Sequence, residues 1–164
     1  MIRYAKMSSP LGPLYATLHE EGLGGLYFDG GRHAPPISQD WREDPKAGPF
    51  RALSAQLHEY LAGDRRVFEL PLAPRGTPFR MRVWNEIARI PFGKTITYTE
   101  LAKRVGAADA MRAVGAATGR NPHSIIVPCH RVIGSDGTLT GYAGGLDRKR
   151  RLLELEGVLQ PALV

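Results

Sequence analysis

Cys129 is the one cysteine among 164 residues, and it stands in the segment Ile125-Ile126-Val127-Pro128-Cys129-His130-Arg131-Val132-Ile133. An apolar, β-prone run breaks at proline, cysteine, histidine and arginine, then resumes. Proline cannot donate to a sheet ladder and belongs at an edge or a bulge, so the thiol is expected at a break in regular structure. A basic or cationic neighbour lowers a thiol pKa and can take its proton, which makes the sulfur a nucleophile. The competing account is that Cys129 is a small buried hydrophobe, the default for a free cysteine. Adjacent strand residues also point to opposite faces, so Cys129 and His130 need not meet. One cysteine excludes an internal disulfide and any zinc site built from several thiolates.

The elements that must present this segment fall into two groups. Leu14-Tyr15-Ala16-Thr17-Leu18 and Gly25-Leu26-Tyr27-Phe28 read as short strands, with Gly22, Gly24, Gly30 and Gly31 as turn residues. Residues 31–49 are rich in proline and polar groups and read as a loop. Phe50, Leu53, Leu57, Tyr60 and Leu61 have helical spacing, and Gly63 stops that helix. Val67-Phe68-Glu69-Leu70 is expected to return to the sheet. Pro71, Pro74, Gly76 and Pro78 make residues 71–78 the linker.

Beyond it the chain reads as helices. Thr77-Pro78 caps a helix over Phe79 to Arg89, with Phe79, Val83, Trp84 and Ile87 facing a core. Thr97-Tyr98-Thr99-Glu100 fits a capping box for a helix that ends near Gly106. A second helix is expected from about Ala108 to Ala117, which gives a helix-turn-helix pattern, a weak signal by itself. The last helix, near Asp147 to Glu156, buries Leu152 and Leu153 and stops at Gly157. The fold class is α/β of the α+β kind: residues 1–75 form a small β-sheet/helix domain, and residues 76–164 a mainly helical one with the helix-turn-helix.

Charge divides at the same place. Residues 1–75 carry nine Lys+Arg and nine Asp+Glu, whereas residues 76–164 carry thirteen and seven, so the second half holds the whole net charge of +6. A polyanion-binding surface in the second half would look like this, and so would a basic protein with a chance asymmetry. No apolar run approaches the roughly 20 residues needed to span a bilayer. The opening Met1-Ile2-Arg3-Tyr4-Ala5-Lys6 does not lead into a signal-peptide core, so the cytoplasm is the expected address.

Pro128-Cys129-His130-Arg131-Val132 resembles the active-site signature of the O6-alkylguanine-DNA alkyltransferases, in particular the bacterial members. Arg112-Ala113-Val114-Gly115, Asn121-Pro122, Gly141-Tyr142-Ala143-Gly144-Gly145 and Leu152-Leu153-Glu154-Leu155-Glu156-Gly157 follow the family's order and spacing. The resemblance is strong over residues 76–157 and looser before, where Ser9-Pro10-Leu11-Gly12-Pro13 carries it. It implies irreversible transfer of an alkyl group from O6-alkylguanine in DNA to Cys129. His130 would be the base, through a bridging water, and Glu156 its orienting carboxylate, with Glu154 a less well placed rival. Asn121 would hold the active-site turn, and Tyr98 would lend a proton to a guanine ring nitrogen. Arg112 would fill the hole left by a flipped nucleotide, with Ala110, Gly115, Thr99 and Ser135 also at the DNA. Tyr142, Ala143, Gly144 and Val132 would line the substrate pocket.

The implied partner is double-stranded DNA held at its minor groove with little sequence preference, by residues 76–164 supported by 1–75. A monomer is expected, with no cofactor and no metal. Three positions depart from the family pattern: Ala143 where serine is frequent, Met111 in place of a small residue, and Ser124 in place of a second proline. The alternatives are a non-catalytic lesion-binding relative, in which the cysteine is replaced, a transcription factor, and a cysteine hydrolase.

Overall fold

The structure is a computed structural model that describes residues 1–160. The last four residues of the expected second domain, 161–164, lie outside the described residues. The architecture is mixed α+β, as expected, and the chain divides into two compact units.

The first unit comprises Met1–Arg75 and Pro122–Ser124. It is built on β1 (Arg3–Met7), β2 (Leu14–His19), β3 (Gly22–Phe28) and β4 (Arg42–Glu43), in the order β3-β2-β1-β4. β1 and β3 pair antiparallel with β2, and β4 pairs parallel with β1. β2 is an inner strand and is buried from Leu14 to Leu18, which suits its mostly apolar run. α1 (Gly48–Leu61) packs against β2 and buries Phe50, Leu53, Leu57 and Tyr60 at the spacing seen in the sequence.

Three expectations about this unit change. Val67–Leu70 forms no strand, and Val67 is exposed. The chain meets the sheet later, at Leu72, where Pro71 O accepts from Leu23 N (2.7 Å) and Ala73 N donates to Leu23 O (2.8 Å). Prolines on either side limit this contact to one bridge. The stretch 31–49 holds β4 as well as loop. Nor is the division a single boundary near residue 75, because Pro122–Ser124 pair with β3. Leu26 N donates to Pro122 O (2.8 Å), Ser124 N donates to Leu26 O (3.0 Å), and His123 Nε2 donates to Leu23 O (2.8 Å).

The second unit holds 76–121 and the chain from Ile125 onward. α2 (Pro78–Ala88) starts at Thr77, whose hydroxyl accepts from Arg80 N, and buries Val83, Trp84 and Ile87. Gly76 admits this start, since a Cβ there would lie 2.5 Å from the Trp84 ring. Trp84 Nε1 in turn donates to Ala117 O (2.8 Å) in the helix packed against α2. α3 (Tyr98–Arg104) is capped by Thr97, which accepts from Glu100 N (3.1 Å). The reciprocal half of the capping box is missing, because the Glu100 carboxylate accepts from Arg104 instead (3.1 Å).

α4 (Met111–Gly119) begins later than expected, since Ala110 N donates to Ala107 O and closes a turn first. α3, the turn 105–110 and α4 are the helix-turn-helix. Ile125–Val127 is a turn and not a strand, and Cys129–Arg131 form one 3-10 turn. Ile125 has φ +72°, which is strained for a β-branched residue. Only Val132–Ile133 (β6) is extended, paired parallel with Ile96–Thr97 (β5). α5 (Leu146–Leu155) closes the unit and places Glu156 at its C-cap.

The excursion at 122–124 buries a titrating group. Burial lowers His123 from its ordinary 6.5 to about 4, outweighing the opposing hydrogen bond to Leu23 O. The unfolded chain therefore binds the extra proton between these values, and stability rises with pH across that window. Stability is expected to fall by about 3 kcal/mol as pH drops from 6.5 to 4 on this account alone. Urea unfolding across that range should show the slope, and His123→Gln, which keeps an N–H donor, should flatten it.

Candidate active site

The turn Cys129–Arg131 follows Pro128 and is closed by Arg131 N donating to Pro128 O (2.9 Å). Asn121 anchors it from the end of α4: its Nδ2 donates to Val127 O (2.8 Å) and to Cys129 Sγ (3.2 Å). Cys129 is buried, with 7% of its surface exposed. Burial pushes its thiol pKa up, while the Asn121 hydrogen bond and the charge of Lys149 pull it back. The sulfur rests as a protonated thiol that needs a base.

The adjacent His130 has the chemistry of one. It is fully buried, and its Nε2 lies 2.8 Å from Glu156 Oε2. A carboxylate only accepts, so the ring carries its proton on Nε2 and a lone pair on Nδ1. Nδ1 has no protein partner among the described residues. Burial holds His130 below its ordinary pKa; the Glu156 hydrogen bond and charge oppose this, and Arg131 and Lys149 reinforce it. A neutral imidazole with one fixed nitrogen and one available nitrogen is the form a general base requires.

Glu156 is held from three directions. Arg131 Nε donates to Oε1 (2.8 Å), Arg131 Nη2 to Oε2 (2.9 Å), and Gly93 N to Oε1 (3.1 Å). The third Arg131 donor, Nη1, reaches Ile90 O (2.6 Å), and the guanidinium lies 5.8 Å from the Phe92 ring centre. Such a fork fixes the carboxylate plane as well as its charge.

The description of the 6-O-methylguanine DNA methyltransferase DNA-binding domain matches residues 78–158, and that of the same methyltransferase's ribonuclease-like domain matches residues 2–74. The chain belongs to the 6-O-methylguanine DNA methyltransferase family. The methylated-DNA–protein-cysteine methyltransferase of Methanosarcina acetivorans is 49% identical over 154 residues, covering 94% of this chain and 97% of that protein. Its Mycobacterium tuberculosis counterpart is 47% identical over 162 residues, covering 99% and 96%. The crystal structure of Mycobacterium tuberculosis OGT in complex with DNA superposes with a TM-score of 0.86 at 46% identity, covering 94% of this chain and 92% of that one.

The structure brings together Asn121, Cys129, His130 and Glu156 of the residues singled out by the family resemblance. Tyr98, at the start of α3, donates to Thr140 O (3.4 Å), and burial raises its pKa to about 12, so it keeps its proton. Thr99 and Ser135 are exposed, with hydroxyl oxygens 2.7 Å apart. Arg112 and Gly115 are on α4, Arg112 exposed and Gly115 half-buried. Ala110 is the N-cap and precedes the helix. Tyr142 and Ala143 are half-buried and Gly144 is buried. The Val132 side chain is fully buried, and its carbonyl accepts from Lys149 (2.6 Å).

Two residues escape a reading of the sequence. Arg131 looks like a cation for the thiol, yet its guanidinium is spent on Glu156. Lys149 is fully buried. The signal was its place three and four residues before Leu152 and Leu153, on the apolar face of α5.

Glu156→Gln removes the anion that neutralises buried Arg131 and is expected to cost about 3–5 kcal/mol of stability. Glu154→Gln, at a half-buried position with no such partner, should cost under about 0.5 kcal/mol. Denaturant unfolding of the two variants checks the pair.

Proposed function

We propose that this family member repairs DNA by direct reversal, moving the alkyl group of O6-alkylguanine in double-stranded DNA irreversibly onto Cys129. The observation that carries the reading is the buried Cys129–His130–Glu156 set, with Nε2 of His130 committed to Glu156 and Nδ1 available. The relatives' name, methylated-DNA–protein-cysteine methyltransferase, gives the same activity.

The steps follow from the chemistry of the groups. His130 Nδ1 takes the Cys129 proton through a bridging water, and Glu156 stabilises the imidazolium. The thiolate attacks the alkyl carbon in line; the S–C bond forms, the C–O6 bond breaks, and the electron pair passes into guanine. Tyr98, still protonated at neutral pH, hydrogen-bonds a ring nitrogen and gives it a proton, which improves the leaving group. The imidazolium's proton returns to the tyrosine oxygen through solvent. The product is a thioether, and no second cysteine stands by to regenerate it, so one molecule acts once.

The alkyl carbon cannot meet a buried thiol while its base is stacked, so the nucleotide must flip out. Exposed Arg112 on α4 is assigned to fill the vacated stack, with Ala110, Gly115, Thr99 and Ser135 at the DNA surface. Tyr142, Ala143, Gly144 and the Val132 backbone are assigned to the pocket wall. The helix-turn-helix lies in the minor groove, and the positive charge of the second unit makes binding phosphate-dominated and salt-sensitive. In this assignment residues 76–164 carry DNA binding and transfer, while 1–75 support them. The protein works as a monomer without a metal or cofactor. A cytoplasmic location belongs to the proposal, because a DNA substrate and a reduced thiol both call for it. The non-catalytic alternative loses ground on the presence of Cys129.

The test is the intact mass of the protein after mixing with excess duplex carrying one O6-methylguanine. The expected result is a gain of one methyl group per chain, absent in Cys129→Ala. Tight lesion binding without transfer would favour the lesion-recognition alternative. Neither transfer nor binding would overturn the proposal.

A further inference from the structure

Lysine is almost never fully buried without a carboxylate partner, yet Lys149 is, and among the described residues no ion pair joins it to one. The one buried carboxylate near the site, Glu156, is taken by Arg131 and His130. Lys149 Nζ instead donates to three carbonyls: Val132 O (2.6 Å), Thr140 O (3.1 Å) and Gly141 O (3.1 Å). Three donors for three acceptors is the complement of a charged ammonium and not of a neutral amine. The first carbonyl follows the nucleophile's turn, and the other two lead into the Tyr142 loop. Thr140 O also accepts from Tyr98, whose ring centre is 5.9 Å from Nζ.

The geometry points to Lys149 as a positioning residue for the transfer: its buried ammonium ties the Thr140–Gly141 segment to the strand that follows Cys129 and is the counter-ion for the Cys129 thiolate. This rests on the alkyl-transfer reading above. The hydrogen bonds satisfy the ammonium before reaction, but its charge is balanced only once the thiol proton has gone to His130. An interaction that strengthens as the reacting charge develops accelerates the chemical step. The titratable and charged groups around the sulfur are Tyr98 from α3, His130 and Arg131 from its own turn, Lys149 from α5 and Glu156 at the end of α5. Burial lowers Lys149 to about 8, and the Cys129 charge is what raises it again; the coupling is reciprocal, since Lys149 lowers the thiol. Methylation of the sulfur ends this coupling, because a thioether cannot ionise.

The test uses Lys149→Met, which keeps the length and loses the charge, and Lys149→Arg, which keeps the charge. Cys129 is first titrated with iodoacetamide, a small electrophile that needs neither DNA nor the loop, with modification followed by intact mass. Lys149→Met is expected to move the thiol's pH profile up by about one unit and to slow methyl transfer from the duplex at neutral pH about tenfold or more. Lys149→Arg is expected to restore most of the profile. An unchanged iodoacetamide profile in a folded Lys149→Met protein would sink the counter-ion role. A second measurement needs no variant: in wild-type protein with ¹³C-labelled lysine, the Lys149 signal should carry a step as the Cys129 thiol ionises, and that step should vanish after Cys129 is methylated. A Lys149 titration with the same steps before and after methylation overturns the proposal even if Lys149→Met does not fold. Failure of the wild type to accept a methyl group would instead strike at the transfer reading, and the iodoacetamide profiles would still judge Lys149.

Discussion

Glu156 gathers groups from three stretches of chain that are far apart in sequence: the Gly93 amide before β5, the Cys129–Arg131 turn, and its own position at the end of α5. Each needs the others. The carboxylate can stay ionised in a dry interior because Arg131 meets it with a two-pronged fork, and Arg131 can be buried because Glu156 and Ile90 O take its donors. His130 then finds an acceptor of fixed direction, which sets its tautomer and leaves its other nitrogen without a protein partner among the described residues. The backbone turn, the helix end and the imidazole are therefore aligned by one charged contact.

The same interior keeps the sulfur quiet. Burial favours the thiol over the thiolate, the form that oxidants and stray electrophiles attack less readily. A protein that can act once gains nothing from a nucleophile that fires before it meets its substrate. Asn121 donates to the sulfur, and in the proposed reaction the buried base is at hand when an alkyl carbon arrives. Tyr98, pushed well above its usual range, remains a donor under the same conditions. Burial thus acts on Tyr98, His130 and Cys129 together, keeping each in the protonation state from which the proposed reaction begins.

Much of the fold could be read from the sequence where periodicity and end signals agreed. Phe50, Leu53, Leu57 and Tyr60 with Gly63, or Thr77-Pro78 before Val83 and Trp84, mark helices by local physics alone. Val67–Leu70 misled because β-prone residues have no strand to make without a free sheet edge, and the flanking prolines let only Leu72 reach one. Ile125–Val127 misled for a related reason. Its apolar side chains serve burial, while its backbone bends to connect the residues that pair with β3 to the nucleophile. At the site, Cys129 and His130 were visible as types, and the family resemblance singled out Glu156. The partner of Arg131 was not legible, because a guanidinium beside a thiol in sequence can point anywhere in space. Lys149 was hidden by the opposite habit: within the run Arg148-Lys149-Arg150-Arg151 it looks like one more solvated charge on α5.

The return of Pro122–Ser124 to the first unit bears on how the chain is made. The pairing of β3 on that side, and the burial of His123 against Leu23 O, wait until residues well beyond the linker have left the ribosome. The first unit therefore cannot finish folding as a self-contained N-terminal piece, although its strands and α1 are complete by Leu61. The three residues that complete it are followed at once by the strained Ile125 and then by the nucleophile's turn. Synthesis order thus ties the last closure of the older part of the chain to the emergence of the segment that will react. A molecule interrupted before Ser124 lacks both.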